Sequence, residues 1–242
     1  MIGGYKDKLR GWAHAAVDPV VRGLDAAGVR PDHLTWAGFL LSVVAGLAFY
    51  DGQSRVAAWF LIVGGLCDIL DGQLARRFGG ETRFGAFLDS TLDRLSEAAV
   101  LVGIAAFYAS NLLGVYLKAS ALVGQVARGE VEGPLAMLVL QQQRMDPRAW
   151  VVMTVTAVLA LVGSFMVSYT RARAEGLGLE CKVGWFERPE RVILLIVAGL
   201  VQVPWVLSGA LMLLTVFSFM TAAQRLVHVH RITRDVEHDE GA

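Results

Sequence analysis

Apolar residues come in long blocks along this chain, and the few polar positions inside the blocks fall at helical spacing. Leu34–Tyr50, Arg55–Arg76, Phe84–Ser110, Ala149–Tyr169, Val192–Leu207 and Gly209–Ala223 each read as a helix suited to crossing a membrane. Asp51-Gly52 ends the first block, and a turn after Pro204 separates the last two. The pattern predicts an all-α integral membrane protein with six transmembrane helices. Residues 1–33 follow a different rule. Trp12, Val17, Val20, Val21 and Leu24 alternate with Lys6, Lys8, Arg10 and Arg22, the signature of an interfacial amphipathic helix. Pro31-Asp32 breaks the chain after it, with Asp32 or Thr35 placed to cap the first span. Residues 34–231 are expected to form the helical domain and 232–242 a frayed tail. Within the domain, residues 111–148 stand apart. Leu112–Ala127 and Pro134–Leu140 are apolar but short, and read as one or two amphipathic helices at or outside the membrane surface.

Composition agrees with the pattern. The chain is 55% hydrophobic, with a mean hydropathy of +0.52, too apolar for an ordinary soluble domain. A net charge of zero supplies no global basic field, so nucleic acid is not an expected partner. Two cysteines, Cys67 and Cys181, give neither a disulfide framework nor zinc spacing. No cleavable signal pattern opens the chain. Lysine and arginine are distributed unevenly. Six spans leave only Arg55, Lys118, Arg128, Arg144 and Arg148 on one side, and most of the rest on the side of the termini. By the positive-inside rule that side is cytoplasmic, in a multi-pass protein of the cell (plasma) membrane.

Four aspartates give the chain its chemistry. Asp68 and Asp71 are i,i+3 near the end of the second block; Asp89 and Asp93 are i,i+4 near the start of the third. On helices each spacing puts both carboxylates on one face, and the short Arg76–Arg83 turn makes the two helices antiparallel neighbours. Four converging carboxylates repel one another unless cations neutralise them. An all-oxygen donor set suits Mg²⁺ or Mn²⁺. Aspartates that only cap helices or pair with Arg76, Arg77, Arg83 and Arg94 are the bland alternative. Four of them inside apolar segments argue against it, since intramembrane carboxylates are costly and usually functional.

The full pattern, Asp68-x2-Asp71-Gly72-x2-Ala75-Arg76-x8-Gly85-x3-Asp89-x3-Asp93, resembles the signature of the CDP-alcohol phosphotransferases. A second stretch resembles the inositol-phosphate branch of that family, the phosphatidylinositol-phosphate and archaetidylinositol-phosphate synthases. It runs Ser168-Tyr-Thr-Arg171-Ala-Arg173-Ala-Glu175, then Glu187-Arg188-Pro-Glu190-Arg191, then Gln224-Arg225. Arg171 stands where actinobacterial members often carry lysine and archaeal ones arginine, and residues 111–148 are an insertion relative to the family. The resemblance implies an enzyme, a membrane phospholipid synthase. It would transfer a phosphatidyl-type group from CDP-diacylglycerol or CDP-archaeol to a hydroxyl of inositol 1-phosphate, releasing CMP. It further implies two Mg²⁺ ions, with Mn²⁺ as substitute, held by Asp68, Asp71, Asp89 and Asp93, with Asp93 also accepting the hydroxyl proton. Pro31, Asp32, His33, Leu34, Gly72, Arg76, Thr82 and Gly85 would line the CDP-lipid site, and the protein would be a homodimer.

Ser168, Arg171, Arg188, Arg191 and Arg225 are the candidates for a pocket binding the acceptor's phosphate. Taken singly, each arginine reads as a solvated or snorkelling side chain. Glycerol 3-phosphate is the alternative acceptor, since it needs the same pocket. A membrane prenyltransferase also binds diphosphates through aspartates and Mg²⁺, but its motifs lack the Gly72, Ala75, Arg76 and Gly85 framework. A cation transporter needs a path across the bilayer, whereas all four aspartates lie towards one face. His228 and His230 have no third ligand nearby and read as a basic helix end.

Overall fold

A computed structural model describes residues 18–78, 80, 82–141 and 147–240. Residues 1–17, which carry most of the expected interfacial helix, lie outside the described residues. Those that are described form a helix over 18–26, α1. Seven helices follow: α2 (Pro31–Tyr50), α3 (Ser54–Arg77), α4 (Arg83–Ala127), α5 (Gly133–Gln141), α6 (Pro147–Gly176), α7 (Arg188–Val201) and α8 (Pro204–Glu240). Five segments are long and apolar enough to cross a membrane: α2, α3, α4, α6 and Trp205–Arg234 of α8. The chain is a multi-pass, all-helical membrane protein.

Six helices close into a ring. α2 packs against α3 and α4, α4 against α6, α6 against α8, α8 against α7, and α7 against α3. α4 and α7 therefore face each other across the interior. One half of that interior is filled. Ala45 and Phe49 of α2 meet Leu61 of α3, Ile104 and Tyr108 of α4, Met153 and Ala157 of α6, Leu195 of α7, and Leu211 and Leu214 of α8. Tyr108 donates to or accepts from Ser208 at 3.1 Å, and Trp150 stacks beside Phe107 and Tyr108. Aromatic residues at one level of a bundle suit a membrane interface. The other half of the ring, towards Pro31, Arg77, Arg83 and Arg188, is hollow and holds the aspartates and several arginines beside an apolar groove.

The tightest crossing is between α2 and α4. A Cβ on Gly103 would lie 2.1 Å from the Gly46 carbonyl oxygen, and one on Gly46 would lie 2.4 Å from that of Ala99. Small residues four apart let the two backbones touch. This contact sets the angle at which α4 delivers Asp89 and Asp93 to the hollow half.

Four boundaries differ from the sequence reading. Residues 111–127 continue the third span as one 45-residue α4, and Leu113, Tyr116 and Leu117 stay exposed on it. The break between the last two helices comes before Pro204. Gln202 adopts a left-handed φ of 56°, and Pro204 opens α8, where its missing N–H costs nothing. The helix also runs through 232–240, the stretch expected to fray. At the start of α2 the N-cap is Arg30, with neither Asp32 nor Thr35 in that role, and Pro31 holds the first turn.

Candidate active site

The hollow half holds three adjoining cavities. One, of about 580 Å³, opens between the start of α2, the end of α3 and the start of α4. Asp68, Asp71, Asp89 and Asp93 all border it. Oxygens of Asp68, Asp71 and Asp89 come within 4.8 Å of one another, a hard-donor cluster that fits Mg²⁺ or Mn²⁺. Asp71 is buried and accepts a hydrogen bond from Thr35 Oγ1 at 2.9 Å. Asp93 stands beside the cluster and is engaged by Arg188, whose Nη1 lies 2.7 Å from Asp93 Oδ1 and 2.9 Å from Asp68 Oδ2.

Of the residues expected at the CDP-lipid site, Pro31, Asp32, Gly72, Thr82 and Gly85 line this cavity. A Cβ on Gly72 would meet nothing within 4 Å, so the backbone there is open to a ligand. Thr82 has a structural task as well: it caps α4, its Oγ1 accepting from the Gly85 N–H at 2.9 Å. Leu34 turns instead into the neighbouring apolar groove. His33 and Arg76 are exposed and border neither cavity. Thr35 is a residue that the motif did not mark. Its contact spans 36 positions, so spacing along the chain carried no sign of it.

A second cavity, of about 430 Å³, lies between α4, α6, the start of α7 and α8. It gathers the whole expected acceptor set: Ser168, Arg171, Arg188, Arg191 and Arg225. Each of these four arginines has a carboxylate partner, while Arg94, also on the wall, donates to the Ser90 carbonyl. Arg171 donates to Glu175 at 2.8 Å, Arg188 to the aspartates, and Arg225 to Glu187 at 3.3 Å. Arg191 forks onto Glu97, with Nε–Oε1 at 2.6 Å and Nη2–Oε2 at 3.0 Å. Arg225 also donates to the carbonyls of Val167 and Val183, at 2.5 and 2.8 Å. These contacts fix the arginines inside a ring whose other half is apolar. Arg173, two residues from Arg171, is exposed, as the helical period requires.

The third cavity, of about 360 Å³, is an apolar groove between α2, α3, α4 and α7. Phe39, Leu61, Ile62, Leu66, Val100 and Ile196 make its walls largely apolar. Its polar end is the aspartate cluster.

A carboxylate cluster, an apolar groove and an arginine-lined cavity thus adjoin one another. The family model of CDP-alcohol phosphatidyltransferase matches residues 29–223. The chain belongs to that family and is a transferase of phospholipid synthesis. It is 33% identical over 216 residues to the archaetidylinositol phosphate synthase of Methanothermobacter thermautotrophicus, covering 88% of each chain. It is 34% identical over 218 residues to the phosphatidylinositol phosphate synthase of Mycobacterium tuberculosis, covering 86% of this chain and 82% of that one. Crystal structures of the Mycobacterium tuberculosis synthase share the fold. The form with CDP-DAG bound superposes with a TM-score of 0.65 at 32% identity, over 87% of this chain and 92% of that one. The complex with manganese and citrate gives 0.67 at 33% identity, over 87% of each.

Proposed function

We propose that the protein joins a CDP-lipid to inositol 1-phosphate, forming a phosphatidyl- or archaetidyl-type inositol phosphate and releasing CMP. The observation that carries this reading is the arginine cavity, which meets the aspartate cavity at Asp89, Asp93 and Arg188. An unphosphorylated polyol gives no reason to gather five arginines (Arg94, Arg171, Arg188, Arg191 and Arg225) around one cavity, whereas a phosphomonoester matches their forked donors. The relatives named for inositol phosphate products support the same acceptor.

In this scheme the CDP moiety occupies the cavity of Pro31, Asp32, Gly72, Thr82 and Gly85, with the tails in the apolar groove. Asp68, Asp71, Asp89 and Asp93 form the divalent-ion site, two Mg²⁺ being the expected occupants and Mn²⁺ a substitute. Such ions would neutralise the pyrophosphate and acidify the acceptor hydroxyl. Arg171, Arg188, Arg191 and Arg225 hold the acceptor's phosphate, and Ser168 adds a hydroxyl at the wall. The acceptor oxygen attacks the phosphorus that bears the lipid, the bond to CMP breaks, and Asp93 takes the hydroxyl proton. Little covalent work falls to the protein; its task is orientation and charge balance.

The cavities lie at the basic end of the bundle, so the site opens to the cytoplasm and the protein resides in the plasma membrane. Of the fourteen residues of α7, Arg188 lies at the level of the cavities and Leu195 in the apolar core. It is the short sixth crossing. The enzyme acts as a homodimer, as the family resemblance implies.

Competition assays on purified protein, with labelled inositol 1-phosphate, free inositol and glycerol 3-phosphate, test the acceptor. Inositol 1-phosphate should win. Preference for free inositol overturns the arginine-pocket reading. Preference for glycerol 3-phosphate keeps the pocket and changes the product.

A further inference from the structure

The apolar groove and the arginine cavity share five lining residues: Asp93, Glu97, Arg188, Pro189 and Arg191. Four of them form two ion pairs, Asp93–Arg188 and Glu97–Arg191, one helical turn apart on α4 and on α7. The two helices do not pack on each other among the described residues. These pairs bridge the ring interior as rungs, and they are the wall between the tail compartment and the acceptor compartment.

The first rung belongs to the reaction centre. The second is deeper: the Glu97 and Arg191 side chains are 6% and 2% exposed. Glu97 takes Nε and Nη2 of Arg191 in a two-point fork, which fixes both the plane and the direction of the guanidinium. The remaining terminal nitrogen, Nη1, is buried and has no protein partner among the described residues. A buried, unpaired donor on a cation is costly unless a ligand meets it. Arg191 borders both the arginine cavity and the apolar groove, and Nη1 is its one donor that no described protein group meets.

We propose that Glu97 is a positioning residue for the acceptor. It acts through Arg191 by locking the guanidinium so that Nη1 serves the phosphate, and it keeps that charge from turning into the apolar groove. This rests on the function proposed above. The competing account is a staple, an ion pair that only ties α4 to α7. A staple is replaceable by apolar side chains of similar volume without loss of stability; a positioning contact is not replaceable in function.

The test is steady-state CMP release by the detergent-purified enzyme, varying inositol 1-phosphate and CDP-lipid separately, with thermal unfolding run on each variant. Glu97→Gln should raise the acceptor KM about tenfold or more, leaving the CDP-lipid KM within about twofold. Glu97→Asp, which keeps the charge, should recover part of the loss. Glu97→Gln combined with Arg191→Ala should be no worse than Arg191→Ala alone, because the carboxylate acts only through that arginine. The apolar pair Glu97→Leu with Arg191→Met guards against misfolding. It should unfold at or above the wild-type temperature while its acceptor KM stays as high as that of Arg191→Ala. An unchanged acceptor KM in Glu97→Gln or in the apolar pair overturns the proposal, as do losses that multiply in the double variant. A wild-type enzyme that prefers free inositol overturns both this proposal and the function beneath it. A wild-type preference for inositol phosphate, with Glu97→Gln kinetically silent, overturns this proposal alone.

Discussion

Asp93 and Arg188 touch at 2.7 Å, and they are the two residues that border all three cavities. The candidate proton acceptor is thus held by a cation that also faces the carboxylate cluster, the apolar groove and the arginine cavity. Arg188 reaches this point from the first turn of α7, where Pro189 stiffens the helix start. In the proposed reaction its guanidinium would stabilise charge as it passes from the attacking oxygen to the leaving phosphate.

Arg188→Gln should therefore disturb every substrate. Loss of one charge-assisted contact at each compartment predicts a fall in kcat/KM of about a hundredfold for both acceptor and CDP-lipid. Arg171→Gln is the contrast. Arg171 borders only the acceptor cavity, and its ion pair with Glu175 is 42% and 51% exposed, so a change of a few fold in the acceptor KM is expected. Separate titrations of the two substrates check both values.

Asp89→Asn and Asp93→Asn should each lower transfer by more than about a hundredfold while the protein stays folded. At Asp89 the loss is a donor from the three-carboxylate cluster; at Asp93 it is the proton acceptor. Unfolding curves without substrate should stay close to wild type, because the apolar half of the ring holds the bundle together. Near-normal turnover by Asp93→Asn would remove it from the reaction.

Gly103→Ala should lower the unfolding temperature by several degrees. Its new Cβ would press on the backbone of Gly46, at 2.1 Å from the oxygen and 2.8 Å from Cα, and a backbone cannot swing aside as a side chain does. Overpacking of this kind costs about 1–3 kcal/mol. Gly65→Ala, whose added carbon would meet nothing within 4 Å, is the control and should unfold as wild type does. Both are measured by thermal unfolding in one detergent.

The aspartates were legible because their information is local. Two pairs at i,i+3 and i,i+4 in apolar runs declare a shared face and a function. The arginine cavity was legible too, as a set, once the resemblance grouped residues 168–225. What sequence spacing left out are the pairings across the ring. Glu97 sits in a stretch, Leu95-Ser-Glu-Ala-Ala-Val100, that marks no motif, and its partner is 94 positions away. Thr35 is 36 positions from Asp71. Gly46 and Gly103 look like ordinary glycines in apolar helices, no different in sequence from Gly64 and Gly65. Gly64 does face Gly38, but at 3.4 Å from its oxygen, a looser contact than the crossing that sets α4. Which glycine is indispensable depends on which backbone lies opposite, and a single helix does not carry that.

The last prediction concerns the far end of α4. Replacing Gln125–Met145 with about twelve glycine and serine residues should leave CMP release largely intact. Asp93 borders the cavities and Tyr108 belongs to the opposite, apolar half of the ring. Ala127 lies 34 residues beyond Asp93, which at 1.5 Å per residue places it roughly 50 Å away along the helix. Among the described residues, none from this stretch lines any of the three cavities. The replacement must still return the chain to Pro147, at the level where Trp150 meets Phe107. Gly124 stands about 25 Å past that level by the same helical rise. Twelve residues reach about 40 Å when extended, so α6 can start where it does now without strain. Changes in loop length of this size cost little closure entropy. CMP release and unfolding temperature, measured on the same preparation, check the outcome. A variant that unfolds like wild type but no longer releases CMP would place the projecting end of α4 within reach of the reaction, and would overturn the assignment of the two membrane faces.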